Sequence, residues 1–409
     1  MNKILTSLFA PVVVAGMWVS CTNDNVGPGE VNKVNPIQIS SRISEGTNDF
    51  AFKFLHTLQK TQPANENMFV SPLSLHMALG MLLNGAEEGT ADEIRKALEM
   101  EGVSIDDLNN AYKTLINDLP VADSKVTLGL ANSIWYKSGF DVKPDFQTVL
   151  KNSFNAQATG LPFDNAAKAK INQWASDKTN GKIQQVIEEI KPDHVMFLLN
   201  ALYFKGDWKH QFDAKKTVDE TFRLQNGSEK PVKMMFAKSS FKTFSAEAYS
   251  MVRLPYANGQ FNMTLLVPKG QNTVDEMLSS LNPDDWERLG NAPETSIEVG
   301  LPRFTLKYSA QLKETLKKMF IQKAFTSEAE LGKINEKADL FVDFVKQDTY
   351  LGIDEKGTEA AAVTSIGVGV TSAGPNNRIV CDRPFALIIS ENTSNTILFM
   401  GRINNPESK

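Results

Sequence analysis

Residues of the types that usually carry out catalysis are sparse in this chain of 409 residues and do not fall at catalytic spacings. No G-x-S-x-G turn for a nucleophilic serine occurs, and Gly367 and Gly369 lack the third glycine of a dinucleotide-binding turn. None of the four histidines lies in an H-E-x-x-H sequence, so each is interpreted as a surface or structural residue: His56, His76, His194 and His210. The sequence therefore predicts no enzyme and no site for a metal ion or cofactor.

The most unusual segment is 356–372, which lies between two strand-like runs and is long for an irregular connection. Between Thr358 and Ser372 it has no proline, and its only charged residue is Glu359. Every second residue forms an uncharged set: Thr358, Ala360, Ala362, Thr364, Ile366, Val368 and Val370. Such a segment could become a buried strand that leaves Glu359 in solvent. Composition alone leaves an ordinary hairpin arm or an aggregation-prone linker as the alternative.

The elements around this segment change character along the chain. Phe50, Phe54 and Leu58 share one helical face, and Ser71 followed by Pro72 is a typical helix start. Later residues form short apolar or β-branched runs typical of strands, at 128–136, 195–204, 251–254, 261–267, 296–299, 385–390 and 397–402. Helical spacing returns at 306–319. Helices early and strands late predict an α+β fold with more than one sheet.

The N-terminus has the pattern of a targeting segment. Residues 1–20 combine Lys3 with an apolar stretch that is too short to span a membrane, which indicates a signal peptide. The stretch ends at Ser20-Cys21, which resembles the lipobox of a bacterial lipoprotein, so Cys21 is the candidate lipidation site. Residues 21–44 are then a flexible tether. We expect an exported protein: an outer-membrane lipoprotein, periplasmic or cell-surface, or a secreted protein if no lipid is attached.

Several motifs together resemble the serpin family over residues 45–406. They are NMFVSPLS at 67–74, NGA at 84–86, NALYFKGDW at 200–208, LPRF at 301–304, DEKGTEAAA at 354–362, DRPF at 382–385 and LFMGRINNP at 398–406. The resemblance implies a serpin domain over 45–409 with three β-sheets, eight or nine helices and an exposed reactive centre loop at 355–385. It also implies a suicide-substrate inhibitor of serine proteases, which traps the acyl-enzyme by inserting the cleaved loop into the main sheet.

The resemblance assigns roles to residues of this chain. The hinge comprises Glu355, Gly357, Thr358, Glu359, Ala360, Ala361 and Ala362. Counting 17 residues from Glu355 places the reactive bond at Thr371-Ser372, with Val368 and Val370 as alternatives. A sheet-opening cluster comprises Ser71, Ser74, Asn200, Gln347 and Trp208, where Gln347 replaces the histidine of many serpins.

The residues that we call the bait, Val368, Val370 and Thr371 before the candidate reactive bonds, are small or β-branched. This favours elastase-like and subtilisin-like proteases as covalent partners of a monomeric inhibitor. A formal charge of −5 argues against a nucleic-acid partner. Contact with a membrane is expected only through a lipid anchor. The alternatives are a non-inhibitory serpin with a binding or chaperone-like role and, on a different basis, an unrelated surface-binding lipoprotein.

Overall fold

A computed structural model describes residues 34–337, 340–358 and 377–407. These residues contain nine α-helices: α1 Ser41–Gln59, α2 Pro72–Gly85, α3 Glu88–Ala97, α4 Ile105–Asp118, α5 Pro144–Phe154, α6 Asn165–Lys178, α7 Val274–Ser280, α8 Pro283–Asn291 and α9 Lys313–Lys318. In this part of the chain, no helix is long and apolar enough to cross a bilayer. The helix count agrees with the eight or nine that the family resemblance implies.

Fifteen strands are present in the same described ranges. They are β1 Met68–Val70, β2 Val126–Lys137, β3 Gln157–Leu161, β4 Met196–Asp207, β5 Val218–Arg223, β6 Glu229–Ser245, β7 Tyr249–Pro255, β8 Phe261–Pro268, β9 Glu294–Pro302, β10 Phe304–Gln311, β11 Lys346–Ile353, β12 Gly357–Thr358, β13 Arg378–Val380, β14 Phe385–Glu391 and β15 Ile397–Ile403. The α+β class is thereby confirmed.

The strands form two hydrogen-bonded sheets in the described residues. The six-stranded sheet has the order β10-β11-β12-β4-β2-β3, and the nine-stranded sheet has the order β1-β15-β14-β8-β7-β6-β9-β13, with β5 also paired to β6. Strand β6 joins two groups, because residues 242–245 pair with β7 whereas residues 234–242 pair with β9. Two of the three expected sheets are therefore continuous with each other through β6.

Helix α2 lies between the two sheets and contacts β4 of one and β15 of the other. All of its residues except Ala78 and Asn84 are buried, which is typical of a helix that is apolar around its whole circumference. Its N-terminus is fixed by Ser71, whose hydroxyl accepts a hydrogen bond from the Ser74 amide at 3.1 Å. The helix start expected at Ser71-Pro72 is confirmed, and it places two polar side chains between the sheets.

Two expectations differ from the structure. Residues 306–319 are not one helix, because residues 304–311 form β10 and pair along their whole length with β11. Only α9 is helical there, since tertiary pairing overrides a short helical pattern. The folded body also begins before residue 45: Ile37 and Ile43 are buried, and the Asn35 amide donates to the Gln260 side chain.

Candidate functional site

The hinge of the expected reactive loop begins with a tight turn after β11. The Asp354 carboxylate accepts hydrogen bonds from the amides of Lys356 (2.9 Å) and Gly357 (3.2 Å), and the Asp354 amide donates to the Gly357 carbonyl (3.0 Å). Burial raises the pKa of Asp354, while the two amide hydrogen bonds act in the opposite direction. The turn reverses the chain so that it runs back beside β11 as β12.

The two residues of strand β12 lie between β11 and β4. Thr358 lies opposite Ile353 on β11 and opposite Gly206 on β4, both in antiparallel register. A β-carbon at Gly357 would lie 2.0 Å from the Gly206 carbonyl oxygen, so only glycine fits there. The Thr358 side chain is 2% exposed, and its hydroxyl is 2.6 Å from the Tyr256 hydroxyl. The first residues of the hinge are thus already part of the sheet, with Thr358 directed into the core.

Glu355 holds the turn to neighbouring elements. Its carboxylate accepts a hydrogen bond from the Thr217 hydroxyl at 2.8 Å and lies 3.4 Å from an Arg303 guanidinium nitrogen. Its backbone carbonyl accepts from the Phe212 amide at 3.0 Å. The motif that contains Arg303 was noticed in the sequence, but nothing in its spacing indicates a contact with Glu355.

Trp208 belongs to the hinge end of the sheet, which corrects its expected place in the sheet-opening cluster. Its indole N–H donates to the Asp354 carbonyl at 2.9 Å, and its ring stacks on Tyr256 with 4.6 Å between centroids. Eight residues of extended chain separate it from Asn200, about 26 Å at the usual rise of a strand. It therefore cannot reach the other members of that cluster.

Beyond Thr358, the six-stranded sheet has an opening that we call the slot: the space between β4 and β11 from Lys205 to Met196 on one side and from Gly352 to Lys346 on the other. No ladder joins these two strands directly in the described residues. A cavity of about 240 Å³ lies in the lower part of the slot. Most of its lining is apolar and comes from α2, α6, β4 and the segment before β11, including Leu75, Leu79, Trp174, Leu199 and Phe344.

Four members of the expected cluster meet beside the slot. The Gln347 side chain bridges the backbone of Ser71, accepting from its amide at 2.8 Å and donating to its carbonyl at 2.9 Å. The Ser74 hydroxyl donates to the Asn200 side chain, which in turn donates to Asn132 at 2.6 Å. Asn132 was missed in the sequence because a single asparagine within a strand pattern carries no signal of a partner 68 residues away.

At the lower end of the slot, His194 contacts the segment before β11. Its Nδ1 accepts from the Lys191 amide at 3.1 Å, so Nε2 carries the proton that is directed to the Asp343 carboxylate at 3.0 Å. The ring also packs against Phe197 and Phe344. The contacts agree with the interpretation of this histidine as a structural residue.

Several expected site residues lie outside the described residues. They are the hinge positions Glu359, Ala360, Ala361 and Ala362, the reactive-bond candidates Val368, Val370, Thr371 and Ser372, and the lipidation candidate Cys21. The other cysteine, Cys381, is fully buried, and burial raises the pKa of its thiol.

A slot between two central strands, with a hinge at its upper end, is the arrangement that the serpin resemblance implies. The family model described as "Serpin (serine protease inhibitor)" matches residues 45–406, and this chain belongs to that family. It is 31% identical to the leukocyte elastase inhibitor of Bos taurus over 379 residues, which cover 89% of this chain and 100% of the relative. It is 32% identical to serine protease inhibitor 42Dd of Drosophila melanogaster, with 87% and 95% covered. The thermophilic serpin tengpin in its native state has a similar structure: the TM-score is 0.81, the identity 29%, and 91% and 97% of the two chains are covered.

Proposed function

We propose that this serpin is a suicide-substrate inhibitor of elastase-like or subtilisin-like serine proteases. The observation that carries the proposal is the slot, which contains only Gly357 and Thr358 at its upper end in the described residues. In the proposed reaction, the oxygen of the protease serine forms an ester with the carbonyl carbon of Thr371. The bond from Thr371 to Ser372 breaks, and the proton of the serine passes to the released amine of Ser372. The loop then inserts before water can hydrolyse the ester.

The register of Thr358 defines where an inserted loop would lie. If the antiparallel ladders continued, each further loop residue would move one position along β4 and one along β11. Alternate residues would face the core between pairs of buried side chains: Ala360 between Phe204 and Leu351, and Ala362 between Leu202 and Thr349. Small loop residues would thus meet mostly larger neighbours, as close packing requires.

The polar residues of the loop also match this register. Thr364 would lie between Asn200 and Gln347, two residues with amide side chains that can donate and accept hydrogen bonds. Glu359 would face outward beside Lys205, which is exposed in the structure. An inserted loop would therefore bury no charge from residue 359 to residue 366, which supports insertion as an energetically allowed step.

The protease class is inferred from the bait residues. Neither lysine nor arginine occurs between Lys356 and Arg378, so a trypsin-like protease would have no suitable bait. Arg378 is already in β13, where its guanidinium is 2.7 Å from the Glu298 carboxylate and stacks on Phe236. Thr371 is the preferred bait, and Val368 and Val370 are the alternatives.

The test is incubation of the protein with a pancreatic-type elastase, followed by denaturing electrophoresis and mass spectrometry of the trapped species. We expect a covalent complex that survives denaturation and a cut after Thr371. The matched variant Thr371→Arg should lose most of the elastase complex and gain one with trypsin. Clean cleavage of the wild-type chain without a complex would instead support the non-inhibitory alternative.

Loop insertion can also be tested by the melting temperature of the cut chain, which does not require a trapped protease. The chain cut in its loop by a catalytic amount of protease should melt at a markedly higher temperature than the intact chain, because the slot would be filled by a strand. If cut and intact chains melted together, insertion would be ruled out.

We also propose that residues 1–20 direct export and that Cys21 carries the lipid of an outer-membrane anchor. The support is the apolar stretch that ends at Ser20-Cys21. Metabolic labelling with a fatty acid should mark the wild-type chain in its host and leave the Cys21→Ser variant unlabelled. Labelling of both chains, or of neither, would contradict the assignment of Cys21.

A further inference from the structure

Arg253 is a buried cation without an acidic partner. It lies on β7 in the nine-stranded sheet, is 6% exposed, and forms no ion pair with any described residue. Burying a charge is costly unless an opposite charge or hydrogen bonds compensate it. Although burial lowers the pKa of Arg253 to about 10, the side chain is still protonated at neutral pH. An anion that compensates the charge of Arg253 would therefore come from outside the described side chains.

The guanidinium of Arg253 is held in one orientation. Its Nη1 donates to the Asn392 side-chain oxygen at 3.2 Å, and its central carbon lies 4.8 Å from the centre of the Trp286 ring. The Trp286 ring is itself fixed by a 3.0 Å hydrogen bond from its N–H to Asn395. The remaining edge, with Nε and Nη2, has no hydrogen-bond partner in the described residues. These two N–H groups form the fork that matches two oxygens of a carboxylate.

Thr264 adds another unpartnered polar atom beside Arg253. It lies directly opposite Arg253 on β8, so the two side chains are on the same face of the sheet. Thr264 is fully buried, and its hydroxyl has no partner in the described residues. Buried polar groups are nearly always hydrogen-bonded, so adjacent unpartnered groups indicate an absent common acceptor.

Three charged groups of the neighbouring elements have other partners. On α8, Asp285 accepts from the Tyr249 hydroxyl at 2.6 Å and is 3.6 Å from Arg288. Glu391, next to Asn392, accepts from Thr393 and Ser394. Lys242, opposite Arg253 on β6, donates to the Gly290 carbonyl. None of the three forms an ion pair with Arg253, whose Nε and Nη2 have no hydrogen-bond partner in the described residues.

We propose that Arg253 and Thr264 bind a small monovalent carboxylate. One or both carboxylate oxygens would accept from Nε and Nη2 of Arg253, and one oxygen would also accept from the Thr264 hydroxyl. A single water would accept two hydrogen bonds at most and would leave the positive charge uncompensated. A divalent oxyanion would bring a second negative charge into a buried site that supplies one free cation.

The surroundings limit the size of the ligand and indicate its route. Trp286 lies against Arg253 and Ile388 lies opposite Thr264, and both are almost fully buried. Asn392 is exposed and Gly290 is partly exposed. The ligand would enter between Asn392 and Gly290. We expect a ligand of the size of formate or acetate, because Arg253, Thr264 and Trp286 are almost completely buried.

The test uses sodium acetate that replaces sodium chloride at constant ionic strength and neutral pH. For the full chain we expect a saturable rise in melting temperature and a saturable shift of the Arg253 Nε–H signal in ¹H–¹⁵N spectra. Arg253→Lys keeps the charge but loses the fork, and should weaken acetate binding by about tenfold or more. Arg288→Lys changes an exposed arginine on the adjacent helix and should respond like the wild type.

Three results would overturn the proposal: no saturable response in the wild type, an equal response in Arg253→Lys, or a stronger response to sulfate than to acetate. If Arg253→Lys does not fold, acetate binding by Thr264→Val tests the proposal, because this variant keeps the arginine and loses one hydrogen-bond donor. That variant should bind acetate several-fold more weakly, and unchanged binding would contradict the proposed geometry. Acetate binding is measured without a protease, so the outcome of this experiment is independent of the proposed function.

Discussion

The hydroxyl groups of Tyr256 and Thr358 lie 2.6 Å apart, and both side chains are almost completely buried. Thr358 is the last described residue of the hinge, and Tyr256 directly follows β7 of the other sheet. This hydrogen bond links the start of the reactive loop to the core between the sheets. It holds the first turn of the loop at the upper end of the slot, where insertion would begin.

We expect the Tyr256–Thr358 hydrogen bond to contribute about 1 kcal/mol to the stability of the intact chain. A double-mutant cycle of Tyr256→Phe and Thr358→Val, measured by urea unfolding, would isolate that contribution. Each single variant should be destabilised, and the double variant should lose less than the sum of the two. Simple additivity would mean that the bond makes no net contribution.

Thr358→Arg should convert the inhibitor into a substrate. The side chain at this position is 2% exposed, so an arginine there would either bury its charge or hold the start of the hinge out of the sheet. We expect the yield of covalent complex with elastase to fall by at least about tenfold, while cleavage of the loop continues. Thr358→Ser, which keeps a small hydroxyl side chain, is the matched control. An undiminished yield for Thr358→Arg would show that trapping does not require a small uncharged side chain at this position.

Gln347→Ala should destabilise the polar cluster that lies beside the slot. It would leave the buried Ser71 amide without its partner and remove one of two hydrogen bonds to the Ser71 carbonyl, at a cost of about 1–3 kcal/mol. We expect a lower melting temperature and faster spontaneous loop insertion or polymerisation on mild heating, measured by native electrophoresis. Gln347→His, which can still donate and accept, should restore part of the stability. Equal behaviour of the alanine and histidine variants would argue against a role for this hydrogen-bonded bridge.

His76 should make the protein less stable in mild acid. It is fully buried in α2, accepts from the Tyr112 hydroxyl at 2.8 Å and donates to the Leu98 carbonyl at 3.1 Å. Burial lowers its pKa from 6.5 to about 4. Between these values the unfolded chain binds the extra proton and the folded chain does not. The contribution of His76 to stability is therefore complete above pH 6.5 and decreases by about 1.4 kcal/mol per pH unit below it.

The measurement is the urea midpoint across that pH range for the wild type and for His76→Gln. The glutamine variant should show a flatter dependence on pH below 6.5, even if it is less stable throughout. His210→Gln, which replaces an exposed histidine, is the matched control and should keep the slope of the wild type. Parallel curves for wild type and His76→Gln would contradict the prediction.

The hinge beyond Thr358 stays a prediction, and it rests on local sequence information. A small-residue segment with alternating character and no proline indicates a potential buried strand, and the family motifs on both sides define its limits. Local information also predicts the start of α2, since Ser71 and Ser74 are three residues apart. The predicted helix at 306–319 was wrong because β10 is stabilised by pairing with β11, about 40 residues later in the chain.

The candidate site was only partly predictable. The family resemblance grouped Ser71, Ser74, Asn200 and Gln347 correctly as neighbours. Adding Trp208 to them was wrong, because membership of one motif with Asn200 does not indicate distance along a strand. Tyr256 and Asn132 carried no signal, since their partners are remote in sequence. The motif that contains Arg303 did not indicate its contact with Glu355.

Local sequence is therefore enough to indicate which short stretches cap a helix or form a turn, and it predicts which segment could become a strand, because these properties depend on neighbouring residues. The fold as a whole is needed to show that Gln347 bridges Ser71 across 276 positions and that, among the described residues, no ladder joins β4 directly to β11 and one edge of Arg253 has no partner. Each of these depends on how strands far apart in the chain are placed side by side, and that placement results from packing of the whole core.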